Sequence, residues 1–149
     1  MRIVIQRVHQ AAVYVDNSNV GSIGTGLLLF VGFGKNDSEK SFQPLIDKVL
    51  KLRIFADAIK KSEFDISVGD IKGGILIVSQ FTLYADCSRG RRPSFSDALN
   101  PEEAKLLYKK FCELFKSSYQ DGEVAEGVFG AEMRVELEND GPVTLVIEG

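Results

Sequence analysis

Two uninterrupted apolar runs set the tightest limit on how this chain folds. Leu27-Leu28-Leu29-Phe30-Val31 and Ile75-Leu76-Ile77-Val78 offer no polar side to water, and strands of that kind must be covered on both faces. A sheet bare on one side is excluded for them, and a layered body with these strands at its centre is required. Around the first run, β-branched residues crowd positions 2–8 and 11–15. Residues 20–23 then lead through glycine turns into 26–33, which reads as a β-meander.

The cover comes from two predicted helices. Asp37 or Ser38 can cap a helix reaching to about Leu52, with Leu45, Ile46, Val49, Leu50 and Leu52 on its apolar face and Pro44 near its first turn. The second helix is better punctuated: Asn100 can cap it, Pro101 suits its first turn, and Glu103 stands at the capping-box spacing. Leu106, Leu107, Phe111, Leu114 and Phe115 form its expected buried stripe. Between the helices, residues 53–70 lose periodicity around Lys60-Lys61, which predicts a loop or short irregular strands.

After Gly130, Met133, Val135 and Leu137 alternate with Glu132, Arg134, Glu136 and Glu138, the pattern of a strand with one wet face. Asn139-Asp140-Gly141-Pro142 is expected to turn the chain into a last strand over 143–147. No repeat or linker interrupts the 149 residues. The expected class is α/β (α+β): one domain over 1–149, a curled, mostly antiparallel sheet with two main helices.

Composition narrows the function. A hydrophobic share of 44% and a charged share of 26% suit a globular protein rather than a disordered one. Cys87 and Cys112 are 25 residues apart with no Cys-x-x-Cys or Cys/His grouping, so neither a zinc site nor a disulfide framework is expected. Residues 1–7 reach polar side chains too early for a signal peptide, and no apolar run approaches the roughly 20 residues of a membrane span. Cytoplasmic residence without a membrane partner is the expectation. A formal charge of −3 argues against broad nucleic-acid binding, DNA included. One cationic cluster, Arg89-Gly90-Arg91-Arg92, has the composition of a loop and reads equally as a solvated turn or a narrow anion contact.

The inventory of conventional chemistry is short. His9 is the only histidine, so a Ser-His or Cys-His pair has to use it, and no second histidine supports a metal. Carboxylates are many, but none forms a recognisable pair on an apolar background. Gly24-Thr25-Gly26 and Gly32-Phe33-Gly34 lack the lysine and helix start of a phosphate-binding loop. No cofactor and no metal are expected. What remains is polar Ser79, Gln80 and Thr82 leaving a buried strand, and a Gly-Pro pair at a turn. Taken separately and on composition alone, the first reads better as an ordinary strand end and the second as a plain hairpin turn.

At these positions the chain resembles the bacterial and eukaryotic D-aminoacyl-tRNA deacylase family, whose signatures are Ser-Gln-Phe-Thr and Asn-x-Gly-Pro-Val-Thr. They stand here as Ser79-Gln80-Phe81-Thr82 and Asn139-Asp140-Gly141-Pro142-Val143-Thr144. The likeness runs through Ile5-Gln6-Arg7-Val8, Leu52-Arg53-Ile54-Phe55, Arg92-Pro93-Ser94-Phe95 and Phe129-Gly130-Ala131-x-Met133.

The resemblance implies a homodimer that hydrolyses the ester of D-aminoacyl-tRNA, each site joining Ser79–Thr82 of one chain to Gly141-Pro142 of its partner. It implies a cis Gly141-Pro142 peptide whose carbonyls exclude L-side chains, so that chirality is read by rejection. Glycine escapes that rejection, which adds glycyl-tRNA(Ala) as a substrate. It further implies a substrate-assisted attack using the 2′-hydroxyl of the terminal ribose. Backbone N–H groups of Phe81 and Thr82 are candidates for the oxyanion, and Gln80 for orienting the ribose or the ester. Phe129 and Met133 are expected to line the adenine pocket and Arg7 to brace the Gly-Pro loop. Two other readings stand beside this one: a hydrolase with Thr82 or Ser79 as nucleophile, and a non-catalytic dimer that binds RNA ends.

Overall fold

The computed structural model describes residues 1–57 and 62–149, and Lys60 and Lys61 lie outside the described residues. The chain opens with β1 (Arg2–Val15), β2 (Ser18–Ile23) and β3 (Gly26–Gly32). The predicted strands are present, with residues 2–15 forming one long strand instead of two, but they are not a meander: β3 passes β2 and pairs with the first half of β1, while β2 pairs with the second half. A short 3-10 turn, Glu39–Ser41, leads into α1 (Phe42–Lys51). The cap expected of Asp37 or Ser38 is not made. Ser38 forms no side-chain capping bond, and the Asp37 carboxylate instead takes the Gly34 N–H at 2.6 Å and the Tyr84 hydroxyl at 3.0 Å.

The expected irregular stretch contains two short strands, β4 (Phe55–Asp57) and β5 (Ser62–Ile66), paired antiparallel. Then come β6 (Gly74–Ser79), α2 (Pro101–Ser118), β7 (Val124–Glu126) and β8 (Arg134–Glu148). Asn100 caps α2 as predicted, its side-chain oxygen accepting the Glu103 N–H at 3.0 Å. The buried side of α2 differs from the expected stripe: Ala104, Tyr108, Phe111, Cys112 and Phe115 are buried, while Leu106 is 61% exposed. Ala104, Tyr108, Phe111 and Phe115 follow the helical repeat, and Leu106 is half a turn off it.

Among the described residues a six-stranded sheet runs β2-β1-β3-β6-β7, with β8 paired to β1. The sheet is antiparallel from β8 through β1 to β2 and β3, and parallel in the β3–β6 and β6–β7 ladders. Local periodicity did not disclose the parallel part. Both predicted apolar runs are central: Leu27, Leu28 and Leu29, like Ile75, Leu76 and Ile77, are fully buried. One side of them packs under the helices against Phe42, Ile46, Phe111 and Phe115. The other forms a smaller cluster with Val8, Val13 and Ile23. No helix among the described residues is long and apolar enough to cross a membrane.

The expected hairpin turn at residues 139–142 is absent. β8 is a single strand whose two halves both pair antiparallel with β1, Asn139 facing Val8 and Thr144 facing Gln6. Only Arg7 lies between those partners on β1, whereas residues 140–143 lie between them on β8. The excess residues bow out as a bulge. Pro142 has no N–H for the ladder, and Gly141, at φ 112°, leaves the extended region that a strand needs. A local turn signal thus marks an interruption of a strand rather than its end.

Candidate active site

Ser79 ends β6, and the chain then rises through Gln80 into a 3-10 turn, Phe81–Tyr84. The turn is seated against the end of β3. Gln80 N–H donates to Val31 O at 2.8 Å, and a side chain at Gly32 would meet Gln80 O at 2.8 Å. Within the turn, Leu83 N–H reaches Gln80 O and Ala85 N–H reaches Thr82 O. That pattern leaves the N–H groups of Phe81 and Thr82 outside it, as at the start of any helical turn. The Gln80 side-chain amide donates to the Thr82 hydroxyl.

From behind, Arg2 Nη1 donates to Leu83 O at 2.9 Å, and its guanidinium covers the Tyr84 ring. Burial, together with the Asp37 carboxylate that accepts its hydrogen bond, pushes the Tyr84 phenol up to about 12. The far end of the turn is therefore held by a hydroxyl that stays protonated.

Beside this turn opens a mainly apolar cavity of about 460 Å³. Ser79, Gln80 and Phe81 line one wall, Val31 and Phe33 of the β3 end another, and Phe129, Gly130, Ala131 and Met133 a third. The start of α2 closes it with Leu99, Pro101 and Ala104. Of the residues singled out in the sequence, Ser79, Gln80, Phe81, Phe129 and Met133 are thus brought together. Thr82 sits next to the lining residues. The α2 contribution went unforeseen; the one available signal was the apolar Leu99 directly before the Asn100 cap.

Arg7, Gly141 and Pro142 do not line this cavity. Arg7 faces Leu27 at the start of β3, whereas Ser79 pairs with Val31 near its end. Four residues at about 3.3 Å each put the two groups roughly 13 Å apart along the sheet.

At the bulge, Arg7 is buried, only 9% exposed. Its Nη1 donates to Ile54 O at 2.5 Å, and its guanidinium lies near the Phe55 and Phe64 rings. Nε is 2.8 Å from the Asp140 carboxylate, a charge contact without hydrogen-bond alignment. Asn139 Nδ2 donates to Arg7 O and Val143 O, stitching the bulge at its base. The Gly141-Pro142 peptide is cis.

His9 is half exposed and stands 3.5 Å from Asp140, so it belongs to the bulge and not to Ser79. Arg89, Arg91 and Arg92 are exposed and form no ion pair among the described residues. Their loop is closed by paired backbone bonds between Asp86 and Ser94. It reaches the cavity rim through Phe95, whose ring lies 5.0 Å from that of Phe81.

Compared with known proteins, residues 4–148 match the family model for D-Tyr-tRNA(Tyr) deacylase. The chain belongs to this family. A relative from Thermosipho melanesiensis, named D-aminoacyl-tRNA deacylase, is 53% identical over 99% of this chain and 97% of its own length. One of the same name from Clostridium tetani is 50% identical over the same shares.

Among solved structures, one titled c-Myc DNA Unwinding Element Binding Protein superposes with a TM-score of 0.93 at 36% identity, covering 100% of this chain and 99% of the other. Another, titled as a probable eukaryotic D-amino acid tRNA deacylase, gives a TM-score of 0.84 at 20% identity over 98% and 97%. At that identity the second match speaks for the fold alone. The D-Tyr-tRNA(Tyr) deacylase family therefore covers both the cavity and the bulge of this chain.

Proposed function

We propose that the chain is a D-aminoacyl-tRNA deacylase that works as a homodimer, hydrolysing the ester between a D-amino acid and the terminal ribose of tRNA. Glycyl-tRNA(Ala) is a second substrate in this reading. The observation that carries it is the separation of Ser79–Phe81 from Gly141-Pro142 within one chain of this family. Two groups about 13 Å apart along a rigid sheet act on one ester only if a second copy supplies one of them.

In the proposed site, the terminal adenine enters the apolar cavity against Phe129 and Met133, whose volume suits a ligand of that size. Gln80 orients the ribose or the ester. Water, activated with the help of the free 2′-hydroxyl, attacks the ester carbonyl and gives its proton up for the leaving 3′-oxygen, while the Phe81 and Thr82 N–H groups receive the developing oxyanion. Collapse of the tetrahedral species releases the amino acid and leaves the 3′-hydroxyl on the tRNA. Gly141 and Pro142 of the partner stand where an L-side chain has to go, and Arg7 braces their loop.

A side-chain nucleophile is poorly served here. His9 is committed to the bulge end of the sheet, and the Thr82 hydroxyl faces an amide rather than a base. Thr82→Ala is accordingly expected to keep turnover within about tenfold of the unsubstituted protein. A loss of about 10⁴-fold, or a trapped acyl-threonine, would instead identify Thr82 as the nucleophile.

The test of the function itself is incubation of the purified protein with D- and L-tyrosyl-tRNA. Release of the D-amino acid alone is expected, and equal inertness to both leaves only an RNA-end-binding dimer. The unpaired Arg89, Arg91 and Arg92 beside the cavity rim are proposed to meet tRNA phosphates. Replacing all three by alanine is expected to weaken tRNA binding and to flatten the plot of log K against log salt by about 2 to 3 units. An unchanged slope removes that role. Three arginines on a chain of net charge −3 suit such a narrow contact better than a DNA duplex.

A further inference from the structure

Two buried tyrosines, one on α2 and one directly after it, reach the backbone of the β6 region at opposite ends. Tyr119, just past the helix, donates to Gly73 O at 2.7 Å and faces Val68 O at 3.2 Å. Tyr108 donates to Ile77 O at 2.8 Å, with Gly127 O at 3.4 Å as a second acceptor. Eleven residues of helix span about 16 Å and four residues of strand about 13 Å, so the second half of α2 lies along β6 and is fastened near both ends of that strand, by Tyr108 at mid-helix and by Tyr119 just past the last turn.

The two ends are not equivalent. Tyr119 holds the entry to β6, away from the cavity. Tyr108 holds the junction from which two cavity walls depart: Ile77 is two residues before Ser79, and Gly127 is two before Phe129. Ile77 O also accepts the Gly127 N–H at 2.8 Å, the bond that closes the β6–β7 ladder. The Tyr108 ring packs on that of Phe129 with centroids 5.7 Å apart. Ala104, one helical turn before Tyr108, lines the same cavity. Burial holds the Tyr108 phenol far above its ordinary range, so the hydroxyl is a constant donor.

We propose that Tyr108 is a positioning residue: by fastening Ile77 and Gly127 to α2, it sets the offset between the Ser79–Thr82 turn and the wall formed by Phe129. This rests on the deacylase reading above. With the adenine seated against Phe129, that offset decides whether the ester carbonyl meets the Phe81 and Thr82 N–H groups. A shift of 1 Å at such a point costs rate more than affinity, because the seat itself is intact.

The test compares the unsubstituted protein, Tyr108→Phe and Tyr119→Phe in steady-state hydrolysis of D-tyrosyl-tRNA, with thermal melts of all three. Tyr108→Phe retains the ring on Phe129 and leaves Ile77 O bonded to Gly127 N–H, so the β6–β7 closure survives, and what goes unpaired is the Gly127 carbonyl with its long 3.4 Å bond, a loss of about 1–3 kcal/mol that a folded domain tolerates. The two variants lose the same kind of buried bond and are expected to melt lower by similar amounts. They should part in kinetics: Tyr108→Phe loses about tenfold in kcat with KM within about twofold, while Tyr119→Phe turns over normally.

Equal kcat in both variants would show that Tyr108 only stabilises the fold. A rise in KM alone would show that it shapes the seat and not the offset, and either result overturns the proposal. If the unsubstituted protein fails to release D-tyrosine, the deacylase reading itself falls, a result distinct from both.

Discussion

Gly141→Ala is expected to lower kcat/KM on D-tyrosyl-tRNA by about 100-fold, the cost of misplacing a reacting group by about 1 Å. Gly141 has φ 112°, a region that L side chains rarely adopt, so alanine there is strained by about 1–3 kcal/mol. The added carbon also has nowhere to go: it would meet Arg7 Nη2 at 2.9 Å and Val143 Cγ2 at 3.1 Å. An arginine tip would normally yield, but this one is buried and bonded to Ile54 O. The bulge moves instead, and in the proposed dimer it moves inside the partner's site. The ladder on either side is untouched, so the variant stays folded. Activity within threefold of the unsubstituted protein would rule out any role for this loop in the chemistry.

Arg7→Met is expected to have the largest effect on stability. Methionine fills the space of the arginine stem but removes the cation from Asp140 and the donor from Ile54 O. Leaving one half of a buried pair uncompensated costs about 3–5 kcal/mol, and the 28% exposure of Asp140 favours the lower end. For a chain of this size each kcal/mol moves the midpoint by about 2–4 °C, so a fall of roughly 6–12 °C in Tm is expected. A melt within about 2 °C of the unsubstituted protein would mean that Asp140 and Ile54 find water instead, and that the bulge is not braced by Arg7. Arg7→Lys is not a gentle alternative, because a lysine cannot hold a carbonyl and a carboxylate across a planar fork.

The parts of this fold written in local chemistry were legible in the sequence. Asn100, Pro101 and Glu103 announced α2 because a cap is a contact between residues three apart. The apolar runs announced β3 and β6 because double-sided burial leaves no polar alternation. The parallel ladder between those strands was not legible, since pairing across some forty residues leaves no mark in either segment alone. Leu106 was misplaced on the buried stripe because helix α2 has more apolar residues than its buried face needs, and the sheet selects Tyr108 and Ala104 instead.

The candidate site divides in the same way. Ser79 to Phe81 could be placed at the exit of a buried strand by pattern, while any role for them came from the family signature. Leu99 and Ala104 join the cavity only through tertiary packing. The hairpin expected at residues 139–142 failed instructively. Gly-Pro chemistry specifies a departure from strand geometry, but whether the chain reverses or resumes depends on a partner strand, here β1, more than a hundred residues away.

That dependence on β1 has a temporal side. The ladder carrying the Gly141-Pro142 bulge joins Arg2 to Glu148, so forming it closes the largest loop available within the described chain. Such closures are slow, because entropy is lost before any contact compensates for it. α2 and β6, by contrast, can settle against each other through much shorter loops. Val135 of β8 lines the cavity and faces Val13 of β1 in that same ladder, so one late closure completes both the cavity wall and the bulge. In the dimer proposed here, a chain would therefore gain the seat for a neighbour's loop and the loop that it lends in the same step.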